Sequence, residues 1–138
     1  MKQIYKDYVA LFERLDHHNL EELRLLTVSN FHFVDPFHDV WGIDNTIAIF
    51  AKMYDWLSDP DFKVLGLALA DEGLYVRWSF RASGKRLLRG RIIEFEGMSL
   101  VREENGLICE HLDYWDASQL FRIIPIFGGF LRRLTKLI

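Results

Sequence analysis

His111 and Asp113 stand two positions apart in Leu107–Trp115, a run rich in β-branched and aromatic residues. Alternate side chains of a strand share a face. Leu107, Cys109, His111, Asp113 and Trp115 therefore fall together, and Glu110, Leu112 and Tyr114 fall opposite. A carboxylate beside an imidazole on a largely apolar face is costly to bury unless it is paired or protonated, and either state moves its pKa. That is raw material for general acid–base chemistry. The competing reading is a hydrogen-bonded structural pair, or an ion pair with Arg77 from an earlier strand. Asp35 is the second carboxylate of interest. It precedes Pro36 at the end of a short strand and is backed by Phe31, Phe33 and Phe37. It could act as a base at the rim of an apolar pocket or cap a turn, as Asp before Pro often does.

Other reactive residue types carry less. His32, Asp35, His38 and Asp39 lie close in sequence but lack helical or hairpin metal-ligand spacing. Cys109 has no local nucleophile signature and reads as a small core residue. His17 and His18 fall at a helix end and are expected to be solvated. Gly84-Lys85-Arg86 reads as a hairpin and not a phosphate loop, since no helix is expected after it and no Ser or Thr follows the Lys.

The elements that must position these residues divide the chain into halves. Ile4, Tyr8, Leu11, Phe12 and Leu15 predict an amphipathic helix over residues 3–16. Asn19, with Glu22 three residues on, predicts a capped short helix through Leu26. Pro36 pushes the residue before it into an extended conformation, so Phe31–Asp35 reads as a strand and Pro36–Trp41 as a loop. Asp44 can cap the next helix, which buries Ile43, Ile47, Phe50, Tyr54 and Leu57 and ends at Asp59-Pro60. The second half reads as strands over 61–70, 74–82, 87–101 and 107–115. Asn105-Gly106 between the last two is a strong hairpin signal. Helices followed by an antiparallel meander make an α+β domain. Residues 117–124 and a final stretch with Phe127, Phe130, Leu131, Leu134 and Leu137 on one face read as helical.

Length and charge bound the rest. The chain has 138 residues, enough for one domain with its own core. Its net charge is −3, a poor match to a nucleic-acid partner, which calls for a basic face. The charge is uneven. Residues 117–138 hold Arg122, Arg132, Arg133 and Lys136 and no acid, while the first 116 hold the other 13 basic and all 20 acidic residues. This cationic segment can lie on a membrane surface or partner or pack across its own sheet with the Arg residues in water, the latter being the expectation adopted. One cysteine excludes an intrachain disulfide, and a reducing cytoplasm is expected. The first 18 residues have no long apolar core or cleavage site, so no signal peptide is expected. No stretch approaches the ~18 apolar residues of a membrane span.

The order of these landmarks resembles the nuclear-transport-factor-2-like superfamily, in particular its SnoaL-like and ketosteroid-isomerase-like branch. The landmarks are the N-terminal helix, Asn19-Leu20-Glu21-Glu22-Leu23, Phe33-Val34-Asp35-Pro36, Asn105-Gly106-Leu107-Ile108 and Glu110-His111-Leu112-Asp113-Tyr114-Trp115-Asp116. The resemblance covers residues 3 to about 120. It places Asp35 where ketosteroid isomerases keep a proton-shuttling Asp, with their helix Tyr near Leu11 (Tyr8 one turn earlier) and their protonated acid near Met98. Arg77 and Asp113 look like two members of the Asp-Arg-Asp set of limonene-epoxide hydrolases, with Ser79 in the place of the other Asp. Glu110-His111-Leu112-Asp113 looks most like the acid–base strand of SnoaL-like cyclases.

The expectation is one domain over 1–138, with 117–138 a cationic extension. A curved, mostly antiparallel sheet wraps around the N-terminal helices as a cone. An apolar pocket between helices and sheet, with Phe33, Phe37, Trp41, Phe50, Tyr54 and Trp115 as candidate lining, would take a small hydrophobic molecule. Asp35, Asp113, His111 and Arg77 are the candidate catalytic residues of a cofactor-free isomerase, cyclase or hydrolase, with no metal implied. The alternatives are a non-catalytic ligand-binding module or a protein-interaction scaffold. The resemblance also implies a homodimer through the sheet's outer face.

Overall fold

A computed structural model describes residues 1–138, the side chains of residues 125 and 126 excepted. Helix α1 (Gln3–Glu13) places Tyr5, Tyr8 and Leu11 on its buried side. A single 3-10 turn, Leu20–Glu22, leads into α2 (Leu23–Leu26). The expected Asn19–Glu22 capping box does not form. The Asn19 amide instead closes the preceding turn, accepting from the Asp16 N–H and donating to the Arg14 carbonyl, while Glu22 pairs with Arg14.

Strand β1 (Thr27–Asp35) starts four residues before the expected one and turns at once into β2 (His38–Trp41). The stretch expected as a loop is therefore half of a hairpin, paired from His32–Trp41 to Asp35–His38. The carboxylate of Asp35 makes the tight turn possible by receiving its backbone N–H groups. Helix α3 (Ile43–Trp56) starts after Gly42, which takes a φ of 95° that a β-carbon would oppose. Gly42 is the cap, and Asp44 pairs with Arg24. The helix stops three residues before Asp59. Strand β3 (Leu57–Ala70) absorbs Asp59-Pro60 as an irregularity between Ser58 and Asp61.

Strands β4 (Gly73–Gly84), β5 (Ile92–Glu104) and β6 (Leu107–Trp115) complete a six-stranded sheet of order β2-β1-β6-β5-β4-β3. All pairs are antiparallel except β1–β6. The chain is thus an α+β domain with a curved, mostly antiparallel sheet, α1 and α3 lying on its inner face. The Asn105-Gly106 turn joins β5 to β6, both residues at positive φ. Along β4, Leu74, Val76 and Trp78 are buried and Arg77 and Arg81 exposed, the alternation that a half-buried strand requires.

Gly97 fixes the centre of the inner face. It lies between Trp78 and Trp115 in the ladder, and a β-carbon there would stand 2.5 Å from the Trp78 ring. The missing side chain lets the indole lie flat across β5. Helices α4 (Ser118–Phe121) and α5 (Pro125–Thr135) close the chain. The expectation that the last helix packs its apolar side across the sheet is not met, since Phe127, Phe130 and Leu134 are exposed. No helix of the described residues is long and apolar enough to cross a membrane.

Candidate functional site

A line of five polar side chains from four elements crosses the inner face. The Trp78 indole N–H on β4 donates to Ser99 Oγ on β5 at 2.7 Å. The Ser99 hydroxyl donates to Asp113 Oδ1 on β6 at 2.5 Å. His111 Nε2 lies 2.7 Å from the same oxygen, and its Nδ1 lies 2.9 Å from the Tyr8 hydroxyl on α1. Ladder register sets this up. Ser99 pairs with Asp113 across β5–β6 and with Val76 across β4–β5, so Ser99 and Asp113 lie side by side on the face that Trp78 also occupies.

Donor chemistry assigns the protons. An indole N–H can only donate, so Ser99 accepts there and spends its own proton on the carboxylate, which can only accept. Burial pushes the Tyr8 hydroxyl well above its ordinary pKa, and the Asp113 charge adds to this. Tyr8 therefore keeps its proton, and its hydroxyl and His111 Nδ1 share one hydrogen bond. His111 Nε2–H donates to the Asp113 carboxylate, so the imidazole bridges a phenol and a carboxylate. His111 is 4% exposed and lies against the rings of Tyr8, Phe12 and Phe33. Both donors to Asp113 reach one oxygen. Oδ2 is left for another group, on a side chain that retains 17% of its exposure.

Above the line is a recess lined by Tyr8, Val9, Phe12, Phe62, Val76, Ser99, Val101 and His111. Its volume of about 10 Å³ is that of a single water. Beyond Asp113, aromatic rings cover the end of the sheet. Trp115 stacks on Phe95 at 4.3 Å, and Phe37 packs edge-on against Trp115 and against Phe121 of α4.

The structure brings together some of the predicted site residues and separates others. His111, Asp113 and Phe33 share the inner face, and Phe50 reaches it through Phe33 and Phe12. Phe37 and Trp115 stand at the aromatic end. Arg77 points the other way, as a neighbour of Met98 on the outer face, and pairs with Glu96 at 2.6 Å. The sheet itself stands between it and Asp113, so it cannot hold that carboxylate ionised. Asp35 lies one step beyond the Val34–Leu112 pair, next to Asp113 in register. Its Oδ1, however, receives the N–H groups of Phe37 and His38, each at 2.7 Å, and lies 2.9 Å from His38 Nδ1. Trp41 stacks on His32 at 4.0 Å, with His32 bonded to Asp39 and Glu110. Burial opposes protonation of His32, but those two carboxylates outweigh it and raise its pKa. Tyr54 sits apart beside His17, its hydroxyl pushed up to about 12, first by burial and then by the Asp16 charge. Among the described residues no three His, Cys, Asp or Glu side chains gather as a metal site.

Three members of the line, Tyr8, Ser99 and Trp78, are not among the candidates drawn from sequence. Ser99 had a signal: it is the lone hydroxyl among Ile93, Phe95, Gly97 and Val101 on one face of β5. Alternation also fails at one place in β6. A register irregularity between Arg102 and Glu103 shifts the phase at Cys109, so Ile108 is fully buried and Leu107 is exposed.

The curved six-stranded sheet over the N-terminal helix thus carries a buried acid–imidazole line. The SnoaL-like domain model matches residues 8–111, and the chain belongs to that family. No curated protein matches it. Among solved structures, an NTF2-like protein of unknown function from Burkholderia pseudomallei aligns at 17% identity over 89% of this chain and 95% of its own, with a TM-score of 0.75. A protein with a ketosteroid-isomerase-like fold from Catenulispora acidiphila, solved with trimethylamine, aligns at 13% identity over 90% and 93%, TM-score 0.74. A SnoaL-like polyketide cyclase from Agrobacterium tumefaciens aligns at 20% identity over 88% and 98%, TM-score 0.71. At these identities the likeness is one of fold.

Proposed function

We propose that this domain binds a small hydrophobic molecule at the aromatic end of its sheet and performs cofactor-free acid–base chemistry on it, with Asp113 as the base. The observation that carries this reading is the arrangement around Asp113. Ser99 and His111 both bond Oδ1, and among the described residues no hydrogen bond is found to Oδ2. A carboxylate held in that way can take a proton from an activated C–H or from a water through Oδ2 and return it later in the reaction. His111 would position Asp113 and keep its Oδ1 served throughout, and Tyr8 would fix the imidazole tautomer. Phe37 and Trp115 would contact the substrate, moving aside to admit it. Asp35 and Arg77 have no part in this chemistry. A homodimer through the outer face, where Met98 and Tyr114 are paired neighbours and exposed, and work in a reducing cytoplasm belong to the same reading.

The one-water recess favours a second reading, in which the line is a structural network and the domain a non-catalytic module. Asp113→Asn separates the two. The amide oxygen can still accept from Ser99 and His111, so the fold is retained, while the base is lost. Against a panel of apolar enones and epoxides, the wild type should turn over at least one member and the variant should not, at nearly unchanged Tm. Equal turnover by both proteins, or no turnover and no thermal shift with any member, would sink the catalytic reading.

A further inference from the structure

Helix α5 exposes the side that an amphipathic helix ordinarily hides. Phe127, Phe130 and Leu134 are 52, 62 and 43% exposed, and Leu137 and Ile138 just beyond are more so. At ~100° per residue Phe127, Phe130, Leu131 and Leu134 fall on one face of the helix, Arg132 and Arg133 fall away from it, and Lys136 follows at the helix end. A helix that served its own core would bury the first face. Here the main packing partner is the single-turn α4, approached closely because Gly128 has no β-carbon to meet the Arg122 carbonyl.

We propose that α5 docks on an anionic phospholipid surface, its Phe and Leu side chains entering the acyl boundary and its Arg and Lys side chains meeting the phosphates. Three observations select this occupant. The apolar face is an exposed ridge of bulky side chains, the form that an interfacial helix inserts into a fluid surface. The segment 117–138 carries four cations and no acid. Among the described residues none of the four pairs with an acid of the acidic body. That body would be repelled by the same lipid surface, so the tail fixes the docking orientation. Phe121 packs on Phe37, which packs on Trp115. The docked helix therefore lies at the Asp113 end of the sheet. The inference does not rest on the acid–base reading, for it asks nothing of Asp113.

Co-flotation of the full chain with vesicles tests it. Vesicles of phosphatidylcholine mixed with phosphatidylglycerol should carry the protein upward, and vesicles of phosphatidylcholine alone should not. Added salt should weaken the binding. Arg132→Glu with Arg133→Glu should lower the partition coefficient at least roughly tenfold. Phe130→Glu with Leu134→Glu should abolish flotation, with the near-ultraviolet circular dichroism of the body unchanged. Three results would overturn the proposal: no flotation with either lipid, equal flotation with both, or an apolar pair of substitutions that dissociates a dimer in solution and leaves lipid binding intact. The last would assign the face to a second copy of the chain.

Discussion

Asp35 and Asp113 are neighbours in the β1–β6 register and almost equally exposed, at 15% and 17%. Their partners differ in kind. Asp35 is held by backbone N–H groups two and three residues ahead of it, bonds that form as the β1–β2 hairpin forms. Asp113 is held by Ser99 and His111, which are themselves held by Trp78 on β4 and Tyr8 on α1. One carboxylate is used up by its own turn. The other exists as a site only when the helix and three strands have assembled, and it keeps an oxygen to spare. Two acids with the same exposure thus have opposite uses, and exposure alone does not distinguish them.

Removing each carboxylate is the most direct way to break that comparison. Asp113→Ala strands the Ser99 hydroxyl and the His111 N–H, and a buried donor without an acceptor costs about 1–3 kcal/mol. The expected loss is about 3 kcal/mol in a urea melt. Asp35→Ala frees turn N–H groups that water can reach, so about 1 kcal/mol is expected. Equal losses would mean that Asp35 also supports the core.

Gly97→Ala tests whether the line depends on the geometry of the sheet. Its β-carbon would meet the Trp78 ring at 2.5 Å and Trp115 Cβ at 2.9 Å. The indole must shift, taking its N–H from Ser99. Overpacking of this kind costs about 1–3 kcal/mol, and tryptophan emission should move to the red as Trp78 leaves its site. An unshifted spectrum would show that the sheet flattens to admit the methyl while the indole stays.

Tyr8→Phe removes the far end of the line and leaves His111 Nδ1 without its hydrogen-bond partner, at a cost of about 1–2 kcal/mol near neutrality. Its pH dependence has a definite sign. The folded pKa of Tyr8 lies above the ordinary value of about 10. Its contribution is therefore complete below about pH 10 and is lost as pH rises through the folded value. Tyr54, also raised, acts in the same direction in both proteins and cancels from the difference. The stability gap between wild type and variant should thus close in alkali. A gap constant with pH would mean that Tyr8 contributes by packing alone.

The fold was legible in the sequence where signals are local. The alternation of β4, the Asn105-Gly106 turn and the amphipathic α1 each need only a few neighbouring residues. The site was half legible. His111 and Asp113 are two positions apart on one strand, so parity alone unites them. Ser99, Trp78 and Tyr8 join them through ladder register and helix docking, which no short window contains. Parity failed below Cys109, because an irregularity that shifts phase by one residue leaves no mark in composition. The Pro36–Trp41 stretch reads as a loop yet forms half of a hairpin for the opposite reason: Asp35 caps the turn with its own carboxylate, and a cap there makes room for a strand.

Arg77→Ala carries the smallest expected effect and sharpens the contrast between the two faces of the sheet. Sequence alone offers Arg77 as the cation that holds Asp113 ionised, and removal would then leave a half-buried carboxylate unpaired and cost several kcal/mol. In the structure Arg77 reaches Glu96 on the outer face, both side chains more than half exposed. A pair of that kind is worth little in water, because the solvent screens it and two long side chains lose freedom to make it. Stability should stay within about 0.5 kcal/mol of wild type. Any turnover assigned to Asp113 should keep its pH profile. A profile displaced to higher pH would place the Arg77 charge within reach of the carboxylate, across a sheet whose inner face then could not be dry.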